Sequence, residues 1–418
     1  MSTVTTTEPD ALLMELVATP EGRADPYPRY AALRERAPVH RSTFGMWTLT
    51  GYDDCQQLFR HPGVGKDFSS AMNSLGLTDA DREAQDRFRN DRSNMLLTDP
   101  PDHTRLRGLV TRAFTPRTVE ALRPRIVALV DELLDTFSGE GPSGPGSGVE
   151  VEVMDALAFP LPVTVIGDML GVPASDRAAL RPLVRSVTAI LELAVTPEAL
   201  AEATEADSRL SDYFADLVAE RRASPRDDLL TKLIEAEDKG DQLTEHELIS
   251  TAILLFAAGF ETTTHLIGNG LLALLRHPDQ LARLRADRSL LPRAVEELLR
   301  YDSPVQIAAR STYEDFSVGG STIPAGSLVL AMLGAANRDP ARFDDPDRLD
   351  VGRDQGPPIS FGGGIHFCLG AALARAEGQI VLDRLLARFS TMELAGGPPA
   401  LRDSLTLRGL TDLRVHFA

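Results

Sequence analysis

The sequence predicts a mainly α-helical fold with a small β region, and three observations carry that prediction. Thr244 to His277 and Leu369 to Phe389 place Leu, Ala, Ile and Val at helical spacing over long runs. Strand-like patterns are confined to short pieces such as Val39 to Thr50 and Val305 to Thr312. One of only two cysteines, Cys368, stands between glycine-rich backbone and the start of the second long run.

No long linker divides the 418 residues, so one large domain over residues 26 to 418 is expected. Its β-rich parts fall at about 26 to 60, 303 to 333 and 391 to 418. Residues 1 to 25 read as a polar, mobile lead. The formal charge of −18 argues against general nucleic-acid binding and against adsorption to acidic membranes. Lysine occurs only at Lys66, Lys232 and Lys239, so an arginine here reflects coding bias unless its position argues otherwise. Two cysteines imply a reduced compartment without a disulfide framework. The N-terminus has no basic or apolar targeting segment, and no run reaches about 18 apolar residues. A cytoplasmic protein without a membrane anchor is expected.

Along the chain, Pro28 to Arg36 predicts a helix, Val39 to Thr50 a strand pair turning at Gly45, and Tyr52 to His61 another helix. Residues 62 to 94 lose all period. Gly63-Val64-Gly65-Lys66 lacks the full spacing and following hydroxyl of a phosphate loop, so nucleotide binding is not expected there. Asp99-Pro100-Pro101-Asp102 opens a helix on which His103 and Arg107 share a face and can reach one anion. Helices follow over Pro116 to Phe137, Ala156 to Leu170, Ser175 to Leu193 and Pro197 to Arg222, interrupted by a Gly/Ser/Pro loop at 138 to 148 and a strand from Val149.

Thr244 and Glu247 give the cap signal of the longest helix. Within it, Ala257-Ala258-Gly259-Phe260-Glu261-Thr262-Thr263-Thr264 puts polarity into an otherwise buried face. Glycine there costs about 1 kcal/mol against alanine, and a buried unpaired carboxylate costs more. Ala258 and Gly259 leave room for a small molecule, the Thr262 hydroxyl can bond the Ala258 carbonyl, and Glu261 can relay protons from water. His265, four residues on, suits a local ion pair with Glu261. Pro292 to Tyr301 is a helix carrying Glu297 and Arg300 at i and i+3. Strand pieces follow near Phe316 to Thr322 and Leu328 to Met332, and Leu405 to Leu407 with Leu413 to Phe417 suggests a terminal hairpin turning near Gly409.

The loop Phe361-Gly362-Gly363-Gly364-Ile365-His366-Phe367-Cys368-Leu369-Gly370 places a sulfur at the positive end of a helix, which favours a thiolate and hence a metal ligand. Its spacing, Phe-x-x-Gly-x-His-x-Cys-x-Gly, resembles the haem-ligand loop of the cytochrome P450 family. The resemblance spans Pro26 to Phe417 and implies the family's fold, a helical prism that holds haem b between the long central helix and the Cys368 helix. It implies Cys368 as the iron ligand, with Phe361, Gly362, His366, Gly370 and Ala258 around the cofactor. It further implies His103, Arg107 and Arg310 as propionate ligands, and Glu261 with Thr262 as the acid–alcohol pair of oxygen activation. Glu297 and Arg300 match a buried structural pair, for which Arg348 is the expected third member. Leu254, Ala258, Val305, Ile307 and Leu407 are candidate substrate contacts.

A haem-thiolate monooxygenase is therefore expected, acting with O2 on a lipophilic small molecule such as a polyketide, terpenoid or steroid. No dinucleotide or flavin unit is evident, so ferredoxin and ferredoxin reductase are the expected electron donors, with Arg105 and Arg112 in the docking patch. The alternatives are a peroxide-driven peroxygenase on the same scaffold, against which Glu261 and Thr262 argue, and a haem-binding sensor without turnover.

Overall fold

Helices dominate because the apolar stripes of successive segments share one core. The computed structural model describes residues 7–74, 94–137, 148–193, 195–238 and 243–418. Its axis is the long helix Glu245–Arg276, started by a reciprocal cap between Thr244 and Glu247. Around it pack Pro160–Leu170, Pro197–Ala223, Leu291–Tyr301 and the cysteine helix Ala371–Arg388. Leu248, Phe256, Phe260, Leu271 and Leu274 of the long helix are buried in the largest core cluster together with Ile166, Phe214, Val295 and Leu385. The roof helix Ala174–Thr188 lies against Pro197–Ala223.

The β region is built from distant segments. Strands β1 (Val39–Arg41) and β2 (Trp47–Leu49) pair antiparallel around Gly45, whose φ of +87° suits glycine. With β3 (Val64–Gly65), β5 (Ile307–Thr312) and β8 (Leu328–Met332) they form a five-stranded sheet in the order β1-β2-β8-β5-β3. Strands β6 (Phe316–Val318) and β7 (Ser321–Ile323) form a hairpin.

Three expectations need correction. Residues 8–24 are not a mobile lead: they fold into helices Glu8–Ala18 and Pro20–Ala24. The Thr7–Asp10 cap, burial of Leu13 and Leu16, and a 3.0 Å contact from Asp10 to His40 fix them to the sheet edge. The terminal hairpin is also redrawn. β10 (Ala400–Leu401) pairs with β11 (Leu410–Asp412), whereas β12 (Arg414–Phe417) joins β4 (Val149–Glu152) and β9 (Met392–Leu394). Phe417 stacks among Phe137 and Phe389 there, an apolar contact stronger than a local turn preference. Finally, Ile307 lies in the cluster of Tyr30 and Leu33. Strand alternation puts it on the face opposite Arg310, so Ala308, not Ile307, shares the Arg310 side.

Of the irregular stretch at 62 to 94, residues 75–93 lie outside the described ones. The backbone N–H groups of Lys66 and Asp67 are engaged by Asp99 at 2.8 and 2.9 Å, so that turn holds a carboxylate of its own chain rather than a phosphate.

Candidate active site

The cysteine loop is held rigidly from behind. Cys368 N–H donates to the Phe361 carbonyl at 3.0 Å and Gly362 N–H to Ile359 at 2.8 Å. Gly362 and Gly364 have φ of +68° and +64°, and a Cβ on Gly364 would stand 1.9 Å from the Phe59 carbonyl oxygen. No other residue fits there without moving the Tyr52–Arg60 helix. The Phe361 ring is covered by the Arg375 guanidinium at 4.5 Å, and Arg375 is fixed in turn by Glu296.

Cys368 is an exposed residue of that loop. Surrounding protein pushes the Cys368 thiol pKa up, while the N–H groups of Gly370 and Ala371 and the charges of Arg107 and Arg375 pull the other way. The expected thiolate bias of the helix start is therefore present but does not prevail in the protein alone. A bound cation would reverse that balance.

Two buried polar groups converge on the same loop. His103 is buried with neither ring nitrogen hydrogen-bonded, and its ring lies 4.3 Å from that of His366. Burial, then the charges of His366 and Arg107, lower its pKa to about 4, so it is neutral at pH 7. Arg310 is buried over the Phe59 ring and bonds the carbonyl of Ala309 at 2.9 Å. Burial brings its pKa down to about 10. Arg107 differs from expectation in detail: Nη2 donates to the Phe367 carbonyl at 2.6 Å, tying its helix to the cysteine loop. His366 sits 3.7 Å from Asp99.

Across from the loop, Ala258 is exposed within a largely buried stretch of the long helix. Thr262 Oγ1 donates to the Ala258 carbonyl at 3.0 Å, the bond its spacing predicts. Glu261 is 3% exposed at its side chain and is held by Arg402, with His265 Nε2 at 3.5 Å. Burial alone would raise its pKa; His265, Arg402 and Arg185 outweigh burial and lower it to about 2. Glu261 is thus a matched ion-pair member, not a carboxylate open to water. Gly409 approaches His265 so closely that a Cβ would stand 1.8 Å from Nδ1. Leu407 is buried and bridges to Val305, while Leu254 packs against the main core.

The loop's scaffold is a buried charge cluster. Arg300 donates to Glu297 through Nε at 2.7 Å and Nη2 at 2.9 Å, and both side chains are 1% exposed. The third member is Arg353, not Arg348. Arg353 Nε lies 3.1 Å from Glu297, whereas the Arg348 side chain is 62% exposed and only its carbonyl enters the cluster, accepting from Arg300 and Arg353. The Arg300 guanidinium also bonds the Asn337 carbonyl at 2.9 Å, and the Asn337 amide reaches Ser360 and the Ile359 N–H, one and two residues before Phe361. The pair therefore supports the cysteine loop through Asn337.

The family model described as Cytochrome P450 matches residues 46–411. The chain belongs to the cytochrome P450 family. It is 47% identical to Cytochrome P450 107B1 of Saccharopolyspora erythraea over 94% of this chain and 95% of that one. It is 42% identical to the cytochrome P450 monooxygenase PikC of Streptomyces venezuelae, over 94% and 91%. In structure it matches ligand-free CYP164A2 of Mycobacterium smegmatis with a TM-score of 0.87 and 40% identity, covering 97% of this chain and 99% of that one. Like its relatives the P450 chain is an oxidoreductase, and the family's cofactor is haem b. The residues present fit that group: an exposed cysteine on a glycine-shaped loop, and beside it a buried His103 whose nitrogens lack partners and a buried Arg310 with donors to spare for carboxylates. No single helix among the described residues is long and apolar enough to cross a membrane.

Sequence reasoning missed Arg402, Arg185 and Arg353. In a chain so rich in arginine, none of the three is distinguished by its neighbours in sequence. Arg105 is also reassigned: it is occupied by Glu247 and Asp102 and is not a free docking charge.

Proposed function

We propose that this P450 inserts one oxygen atom of O2 into a lipophilic small molecule, using two electrons from a ferredoxin and ferredoxin reductase. Carbon–hydrogen bond, O2, two electrons and two protons become carbon–hydroxyl and water; epoxidation of an alkene follows the same balance. The observation that carries this reading is the pairing of the Cys368 loop with Thr262 bonded to Ala258 and Glu261 beside it. Relatives named as PikC, the polyketide cytochrome PksS and 6-deoxyerythronolide B hydroxylase support a polyketide-like or related secondary metabolite.

Haem, when bound, would supply the oxygen chemistry, and Cys368 would hold it through its sulfur. His103 and Arg310 would hold its propionates, while Arg107 braces the Cys368 loop through the Phe367 carbonyl. Thr262 Oγ1 donates its hydrogen to the Ala258 carbonyl and so would accept a hydrogen bond from a water on the side of the site, and Glu261 would take up a proton for relay only after its ion pair with Arg402 opens. Val305 and Leu407 border the substrate. Exposed Ile365 and Phe367 of the loop would offer an apolar surface, and exposed Arg112, just beyond the Arg107 helix that is tied to the loop, a basic charge to an acidic electron donor.

The test is reconstitution. The ferrous carbonyl form should give a thiolate-ligated spectrum, and product should form with O2 and a ferredoxin system. Product formed only with hydrogen peroxide would refute the electron-transfer reading. An imidazole-type carbonyl spectrum would refute Cys368 as the ligand.

A further inference from the structure

The roof helix Ala174–Thr188 buries Arg177, Leu180, Val184 and Val187. The adjacent stripe carries Arg181, Arg185 and Thr188 at i, i+4 and i+7, so these three lie in line on one face. That stripe looks toward the acid of the long helix. Thr188 Oγ1 is 3.4 Å from Arg402 Nη2, Arg402 holds Glu261, and Arg185 feels the charges of Arg181, Glu261, Arg402 and Asp155.

Arg181, Arg185 and Arg402 share this region with the carboxylates of Asp155, Glu261 and Glu192. Arg181 is matched by Asp155 at 2.6 Å and lies over the Phe159 ring at 3.9 Å; Arg402 is matched by Glu261. Arg185 is half-buried and its Nε is enclosed without an acceptor. Among the described residues neither an ion pair nor a hydrogen bond engages its side chain. Arg181 Nε is enclosed without an acceptor as well. The other acid on this segment, Glu192, is occupied by Ser404 and the N–H groups of Leu405 and Thr406. A guanidinium in such surroundings costs free energy unless an anion meets it, and a carboxylate suits its planar fork.

We propose that Arg185 anchors a carboxylate at one end of the lipophilic substrate, a substrate class that rests on the monooxygenase reading above. The guanidinium of Arg185, with no direct partner of its own, offers one planar fork and so takes one carboxylate. The apolar run Ile190, Leu191 and Leu193 just beyond the roof helix would meet the body of such a molecule.

The experiment compares lauric acid with methyl laurate on haem-loaded wild type, Arg185→Met and Arg185→Lys, by calorimetry and by displacement of the haem band. Wild type should bind the acid roughly tenfold or more tightly than the ester, the range for a charge-assisted hydrogen-bonded pair. Arg185→Met should lose that preference while keeping its ester affinity, and Arg185→Lys should keep part of it. Equal binding of acid and ester by wild type overturns the proposal, and needs no variant to fold. So does an acid preference that survives in Arg185→Met. A carbonyl spectrum without thiolate character would instead overturn the monooxygenase reading, before any ligand is compared.

Discussion

Replacing Arg353 by methionine should destabilise the protein far more than replacing Arg348 by alanine. Arg353 is 7% exposed at its side chain, contacts Glu297 at 3.1 Å, and also bonds Gln355 at 2.7 Å and the Arg348 carbonyl at 3.0 Å. Breaking a buried ion pair costs about 3–5 kcal/mol. Glu297 keeps Arg300 and the Asp350 N–H at 2.8 Å, so the lower end, about 3 kcal/mol, is expected. The Arg348 side chain is 62% exposed and 3.5 Å from Asp350, a surface contact of about 0–0.5 kcal/mol. Urea unfolding of the haem-loaded proteins, followed by far-ultraviolet dichroism and by the haem band, reads both. The Arg353 variant should also release haem more readily, since the cluster reaches the cysteine loop through Asn337. Equal midpoints for the two variants, or a larger loss from Arg348→Ala, would refute the assignment.

Arg310→Met should speed haem transfer to a scavenger roughly tenfold or more, because a buried carboxylate partner would lose a charged donor worth about 1.5–3 kcal/mol; an unchanged rate would remove Arg310 from the propionate site. Thr262→Ala should keep substrate binding but divert reducing equivalents to hydrogen peroxide, measured as the ratio of product to electrons consumed; an unchanged ratio would deny the hydroxyl a role in proton delivery. Glu261 contributes a sign-defined pH dependence. Its folded pKa, lowered to about 2 from 4.5, adds stability that is complete above the unfolded value and disappears as pH falls from about 4.5 toward 2. Glu261→Gln should flatten that part of the acid-unfolding curve, and a curve of unchanged slope would show that the Arg402 pairing does not persist in solution.

Local rules explain what was legible. The long helix begins where Thr244 and Glu247 say it does, and the Thr262 bond to Ala258 follows from four-residue spacing. The cysteine loop was legible because its glycines meet backbone demands that other residues cannot meet. Partners that arrive from far along the chain were not. Arg402 meets Glu261 across 141 positions and Arg353 meets Glu297 across 56, and arginine is too common here for its presence to signal a partner. The N-terminal helices were misread because the polar start of the chain masks the Leu12, Leu13, Leu16 and Val17 stripe and the capped start at Thr7, whose value appears only against the sheet edge. Ile307 was misplaced because the strand's start, and so its alternation, cannot be read from Val305 onward.

The Arg107 contact with Phe367 spans 260 positions, and Arg310 and His103 come to the same loop from opposite sides of the roof segments. On a ribosome, the first wall of this chamber is made long before the sulfur that completes it. Until then, the exposed apolar halves have only each other and chaperones for company. Pigment supply during expression should accordingly govern yield, because capture becomes available only in the last stage of assembly and long-range closures of this kind are slow.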